Sequence, residues 1–145
     1  SSINFYLSKA AKLNTKLSLS IAVPPDIFVS DLDISITLGN LLSNAIEALE
    51  KLQDDAERKL SVSILYKMST LYLEIKNTFS GSLKKIDKVT FKSTKKDSRN
   101  HGYGLSNVNE VVEKYDGISS FTTEGNWFIV NITLFSEKKN SHLQE

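Results

Sequence analysis

Apolar and polar positions along the chain repeat with two periods, near 3.6 and 2, and the switches between them mark out elements. Ile3, Phe5, Tyr6, Leu7, Ala10, Ala11 and Leu13 have helical spacing, so a helix is expected over 3–13. Over 16–23, Leu17, Leu19, Ile21 and Val23 alternate with Lys16, Ser18 and Ser20. This predicts a half-buried strand, ended by Pro24-Pro25. A long helix follows over about 32–52, with Asp31 or Asp33 as its cap. Its apolar stripe is Ile34, Leu38, Leu41, Leu42, Ala45, Leu49 and Leu52. Leu60, Val62, Ile64 and Tyr66, then Leu71, Leu73 and Ile75, alternate with polar residues on either side of Met68 to Thr70, the signature of a β-hairpin. Residues 78–103 show little periodicity. A second helix over about 105–115 presents Leu105, Val108, Val111, Val112 and Tyr115, with Asp116-Gly117 as its stop. A final hairpin, 118–123 and 126–135, turns around Glu124-Gly125. The order predicts an α+β fold, a two-layer α/β sandwich of one sheet with helices on one face. One domain over 1–135 and a polar tail over 136–145 are expected.

Composition narrows the chemistry. The 145 residues are 40% apolar and 24% charged, enough for a core and unlike a disordered chain. Eighteen basic against 17 acidic residues give a net +1, no reason to expect nucleic acid as partner. No apolar run approaches the roughly 20 residues that span a bilayer, and the N-terminus lacks a signal-peptide pattern, so no direct membrane contact and a cytoplasmic setting are expected. Cysteine is absent, which excludes disulfides and thiolate metal sites, and His101 and His142 are too few for a three-histidine site.

The average charge conceals an imbalance. Residues 78–103 hold Lys84, Lys85, Lys88, Lys92, Lys95, Lys96 and Arg99 against Asp87 and Asp97. That is a local +5, leaving −4 on the remainder of a +1 chain. Loops this long inside compact domains are usually functional or mobile. This one is expected to be mobile without an anionic ligand, because its cations lack obvious partners in the sequence.

Three polar placements break the packing pattern. Asn40, Asn44, Glu47 and Lys51 fall on one narrow stripe of the long helix. The stripe is either a solvated surface or a ligand face; asparagine is a mediocre helix former, and its amide oxygen is a suitable neutral ligand for Mg²⁺. Asn77 continues the row of Leu71, Leu73 and Ile75, as a strand-end cap or as a group reaching a ligand over the sheet. His101-Gly102-Tyr103-Gly104-Leu105 opens the second helix, where glycines permit close approach and unpaired N–H groups suit phosphate. Asn107 replaces the third glycine of a dinucleotide fingerprint, and no Gly-Lys-Ser/Thr follows as in a Walker A loop.

In order, these pieces resemble the GHKL ATP-binding superfamily, in particular the catalytic domain of bacterial sensor histidine kinases, with its Bergerat fold and mixed, mostly antiparallel sheet. Gly39-Asn40-Leu41-Leu42-Ser43-Asn44-Ala45-Ile46-Glu47-Ala48 resembles the N box, Phe91-Lys92-Ser93-Thr94-Lys95 the F box and lid, and Gly102 through Val108 the G2 box. The form is most similar to the peptide-pheromone receptor kinases of Gram-positive bacteria. The resemblance implies ATP and Mg²⁺ as cofactors. Asn44 would hold the metal, Asn40 would support phosphates or metal, and Gly102, Tyr103, Gly104 and Leu105 would cradle phosphates. Lys95, with Thr94 and Arg99, would reach the β- or γ-phosphate, while Ile75 and Leu105 would line the adenine slot. The implied partners are an upstream dimerisation and phosphoacceptor domain of the same receptor and a response regulator.

Two departures stand out. The superfamily's G1 box reads Asp-x-Gly-x-Gly, whereas Asn77 occupies the Asp position here and the glycines are expected to be out of place. An Asn oxygen still accepts a hydrogen bond from the adenine amino group, but without charge. Where ATP-hydrolysing relatives carry a Glu, the chain has Asn40, a poor base, which favours phosphoryl transfer over hydrolysis. A serine kinase or regulatory ATPase of the same fold, and an interaction domain without nucleotide, remain as alternatives. Neither histidine lies on a dimerisation helix, so the phosphoacceptor is expected upstream, in a receptor that carries the membrane spans.

Overall fold

A computed structural model describes residues 2–81 and 105–136. In chain order these form α1 (Ser2–Lys12), β1 (Lys16–Ala22), α2 (Asp31–Glu50), β2 (Lys59–Lys67), β3 (Thr70–Thr78), α3 (Leu105–Lys114), β4 (Ile118–Glu124) and β5 (Trp127–Phe135). The strands make one sheet in the order β1-β2-β3-β5-β4. β1 and β2 are parallel, joined through α2 because parallel neighbours need a crossover. The other neighbours are antiparallel. The expected α+β architecture with a mixed, mostly antiparallel sheet is what the chain adopts.

Strand register builds the core. Val62, Ile75 and Val130 lie in one cross-strand row, as do Ile64, Leu73 and Ile132. These side chains are buried against Leu38, Leu41, Leu42, Ala45, Ile46 and Leu49 of α2 and Val108, Val111 and Val112 of α3. Each fully covered aliphatic contributes about 1.5–3 kcal/mol of apolar burial. The opposite face of the sheet carries Ser61, Ser63, Glu74, Lys76, Asn131 and Thr133, none of them buried.

The turns follow their residues. Asn14 closes α1 at φ 59°, a left-handed conformation that asparagine tolerates. Met68 and Ser69, at φ 52° and 60°, make the β2–β3 turn with both central residues left-handed, which suits the twist of a two-residue hairpin. Arg58 closes α2 from outside: its Nε donates to Leu49 O and its Nη2 to Leu52 O, both at 2.8 Å. Leu49 O also accepts from Leu52 N, Leu52 itself lies just beyond the helix, and α2 has no basic residue in its last turn.

Two sequence expectations are corrected and a third is refined. The α2 cap is Ser30 rather than Asp31 or Asp33, its Oγ accepting from Asp33 N at 3.1 Å. Every residue of β1 is exposed, Leu17, Leu19 and Ile21 by 40–54%, so the strand is not half-buried. β1 is an edge strand, and α1 packs mainly on α2 rather than over it. α3 stops at Asp116-Gly117 as expected, with Asp116 rather than the glycine in the left-handed position, at φ 50°. Gly117 is needed for space, since a Cβ there would lie 2.4 Å from Thr133 O and 2.8 Å from Leu134 Cδ2.

Candidate nucleotide site

α2 packs across β3 and beside α3, so Asn40 and Asn44 on α2 and Asn77 on β3 lie on neighbouring, packed elements. Asn40 and Asn44 are half-buried, while Glu47 and Lys51 of the same stripe are exposed. The two amides therefore sit at the border between core and solvent rather than on a solvated face. Asn40 Nδ2 donates to Ile36 O at 2.9 Å, one turn back in its own helix. That bond fixes the amide and leaves Oδ1 as its outward acceptor. Asn44 makes no hydrogen bond among the described residues, so its amide is available to a ligand.

Asn77 lies at the end of the core-facing row, opposite Leu60 and Phe128, and is 2% exposed. Its Nδ2 donates to Thr78 O at 3.0 Å. The amide cannot be reversed, because Oδ1 would then face a carbonyl oxygen. Both alternatives raised by the sequence are thus present in one residue: the nitrogen caps the strand end, and the oxygen remains an acceptor. Next to it, Thr78 Oγ1 donates to Glu57 O and accepts from Lys59 N, so the end of β3 is held to the start of β2.

The segment after β3 revises the reading of the G1 glycines. Gly81 stands four residues beyond Asn77, where the last glycine of Asp-x-Gly-x-Gly falls, and it adopts φ 86°. Only the first glycine is replaced, by Phe79. That ring is buried and meets Phe128 edge-on at 6.1 Å, and Phe79 N donates to Asn126 O. The substituted position is therefore part of the core.

Ile75 is buried in the row that leads to Asn77, and Leu105 is half-buried as the first residue of α3. Thr94, Lys95, Arg99, Gly102, Tyr103 and Gly104 lie outside the described residues, as does most of the 78–103 segment. Sequence reasoning passed over Thr37, one heptad before Asn44 on α2. Its side chain is buried and its Oγ1 has no partner among the described residues. As a threonine among the apolar positions of α2 it belongs neither to the expected leucine stripe nor to the asparagine stripe.

Reasoning from single residues also missed a buried Asp33–Tyr115 pair, flanked by the exposed Ser30 and Lys114, where α2 begins and α3 ends. Asp33 Oδ2 accepts from Tyr115 Oη at 2.5 Å and from Lys114 Nζ at 2.9 Å, and Tyr115 Oη accepts from Ser30 N at 3.2 Å. The tyrosine hydroxyl, chiefly, and the lysine hold the Asp33 carboxyl below its ordinary range, against the opposing effect of burial.

A family profile described as the GHKL domain matches residues 29–135, most of the chain. The chain belongs to the GHKL domain family. No curated protein matches it in sequence. Among solved structures this GHKL domain resembles the Acinetobacter baumannii histidine kinase AdeS, with TM-score 0.66 and 17% identity over 92% of this chain and 60% of that one. It also resembles the catalytic domain of histidine kinase ThkA, with TM-score 0.65 and 17% identity over 93% and 87% of the two chains. The histidine kinase domain of the Erythrobacter litoralis EL346 blue-light activated kinase gives TM-score 0.67 and 14% identity over 99% and 63%. At such identities the likeness establishes the fold. The chain spans about three-fifths of the length of the AdeS and EL346 chains. Among the described residues no helix is long and apolar enough to cross a membrane.

Proposed function

We propose that this GHKL domain is the ATP-binding catalytic module of a two-component sensor histidine kinase. In this reading it binds Mg²⁺-ATP and passes the γ-phosphoryl group to a histidine on a separate dimerisation segment. The observation that carries the proposal is the arrangement of three amides. Asn77 is buried with its nitrogen committed and its oxygen left as an acceptor. Asn40 and Asn44 lie on the helix packed across the same strand, at the border of the core.

The donor set fits the implied group. Asn44 would hold Mg²⁺ through Oδ1, with Asn40 supporting, as a hard cation requires few protein ligands when phosphates supply the others. Asn77 Oδ1 would accept from the adenine amino group, with Ile75 and Leu105 lining the base. Thr94, Lys95 and Arg99 would neutralise β- and γ-phosphate charge, and Gly102, Tyr103 and Gly104 would bring backbone N–H groups to the phosphates. Phosphoryl transfer needs positioning and charge neutralisation more than acid–base groups, and Asn40 supplies no base for water. The full assignment is the cytoplasmic catalytic domain of a membrane-bound receptor similar to peptide-pheromone receptor kinases, with a dimerisation and phosphoacceptor domain and a response regulator as partners.

The uncharged Asn77 and the core-filling Phe79 favour one other reading, a GHKL domain that has lost nucleotide and serves as an interaction module. Titration with Mg²⁺-ATP separates the two. Binding at millimolar or lower concentration that Asn44→Ala abolishes is expected. Absence of binding by the unaltered domain would reject the kinase reading.

A further inference from the structure

We infer that Asp33 and Tyr115 are positioning residues, a clamp that sets where the first turn of α3 stands relative to Asn40 and Asn44. The inference rests on the Mg²⁺-ATP reading above and extends it to residues that touch no ligand.

The argument begins with where the helices start and stop. Phe135 N donates to Tyr115 O, so α3 ends at the end of the sheet where β5 ends. Asn77 pairs with Phe128, near the start of β5 and so at the opposite end of the strands. Arg58, just before β2, holds the carbonyls of Leu49 and Leu52, at and just past the end of α2, at that Asn77 end. The first turn of α2 is joined to Tyr115 through Asp33 and Ser30 at the far end. α2 therefore runs from the clamp toward the Asn77 end, while α3 arrives at the clamp. The two helices are packed against each other and tied at one end.

The tyrosine hydroxyl has both of its hydrogen-bonding roles filled. Tyr115 Oη donates to Asp33 and accepts from Ser30 N, while Ser30 Oγ accepts from Asp33 N. The Tyr115 ring meets Phe28 edge-on at 5.8 Å, which restrains its rotation. A clamp at the C-terminal end of α3 controls its other end by leverage. Ten residues make a helix about 15 Å long, so a tilt of about 5° moves the first turn by roughly 1.3 Å. Misplacement of about 1 Å at a site that works by geometry costs up to about a hundredfold. The hydroxyl and carboxyl are thereby tied to ligand binding at the remote end, beyond what they add to stability.

The test is Mg²⁺-ATP affinity of Tyr115→Phe and Asp33→Asn, measured at 10 °C with circular dichroism showing each variant folded. Tyr115→Phe keeps the ring packing and is expected to weaken binding about 5- to 10-fold, a partial use of the lever. Asp33→Asn keeps an acceptor for the tyrosine and is expected to weaken it less. Lower melting temperatures with unchanged affinity in both variants would overturn the inference, leaving the pair a purely structural contact. If the unaltered domain binds no Mg²⁺-ATP, the kinase reading fails and this inference fails with it. Unaltered binding with insensitive variants removes this inference alone.

Discussion

Restoring the superfamily's carboxylate by Asn77→Asp is expected to destabilise the nucleotide-free domain, even though Asp is the residue the G1 pattern prescribes. Asn77 is 2% exposed and its Nδ2 donates to Thr78 O at 3.0 Å. An ionised Asp would lose that bond and set a buried oxygen against the carbonyl. Loss of the bond costs about 1 kcal/mol and the unpaired buried group about 1–3 more, so about 2–4 kcal/mol is expected in total. For a domain of this size that is a fall in melting temperature of about 8–16 °C. Burial and the facing carbonyl raise the new carboxyl's pKa above its unfolded value. The penalty is therefore fully present above the folded-state pKa and shrinks as pH falls through it, where the protonated acid can donate to Thr78 O. Nucleotide should act in the opposite direction, because a charged acceptor binds the adenine amino group more strongly than an amide does. The assay is thermal unfolding of variant and parent at pH 7.5 and 4.5, with and without Mg²⁺-ATP. Equal stability at pH 7.5, or a penalty that does not change with pH, would refute the orientation assigned to the Asn77 amide.

Two further outcomes test the scaffold. The Asp33 carboxyl is held below its ordinary range by Tyr115 and Lys114, so its stabilisation is present above the unfolded pKa and is lost as pH falls through the folded one. The Tyr115 bond is expected to carry about 1.5–3 kcal/mol, and the half-exposed Lys114 little, since a solvated ion pair is screened. The stability difference between parent and Asp33→Asn should be constant from pH 5 to 7 and collapse below about pH 4; a constant difference down to pH 2 would contradict this. Gly117→Ala would drive a Cβ into Thr133 O and Leu134, an overpacking cost of about 3 kcal/mol. Chemical denaturation should show it as a lower midpoint with unchanged slope, and no change would mean that the α3–β5 contact is looser than the structure shows.

What the sequence made legible follows from the distance over which each feature is decided. The strands and helices were readable because their apolar periods are local, and Asn77 was placed on the core face by strand parity alone. The Asn40–Asn44 pair was readable as a pair because a single helix fixes its spacing. Whether a face is covered is another matter: β1 alternates cleanly, yet Leu17, Leu19 and Ile21 remain exposed because coverage depends on where α1 docks. The α2 cap differs from the expected Asp31 or Asp33 for a similar reason. Ser30 takes that role, and Asp33 lies inside the first turn with its carboxylate engaged by a tyrosine 82 residues away. Gly117 shows the same division. Its neighbours suggest a left-handed stop, but Asp116 takes that conformation, and the glycine is required by a carbonyl on β5. The clamp lies wholly on the non-local side of this division. No period or motif connects Ser30, Asp33 and Tyr115, yet they set the relation between the two helices whose separate sequence signatures were the easiest to read.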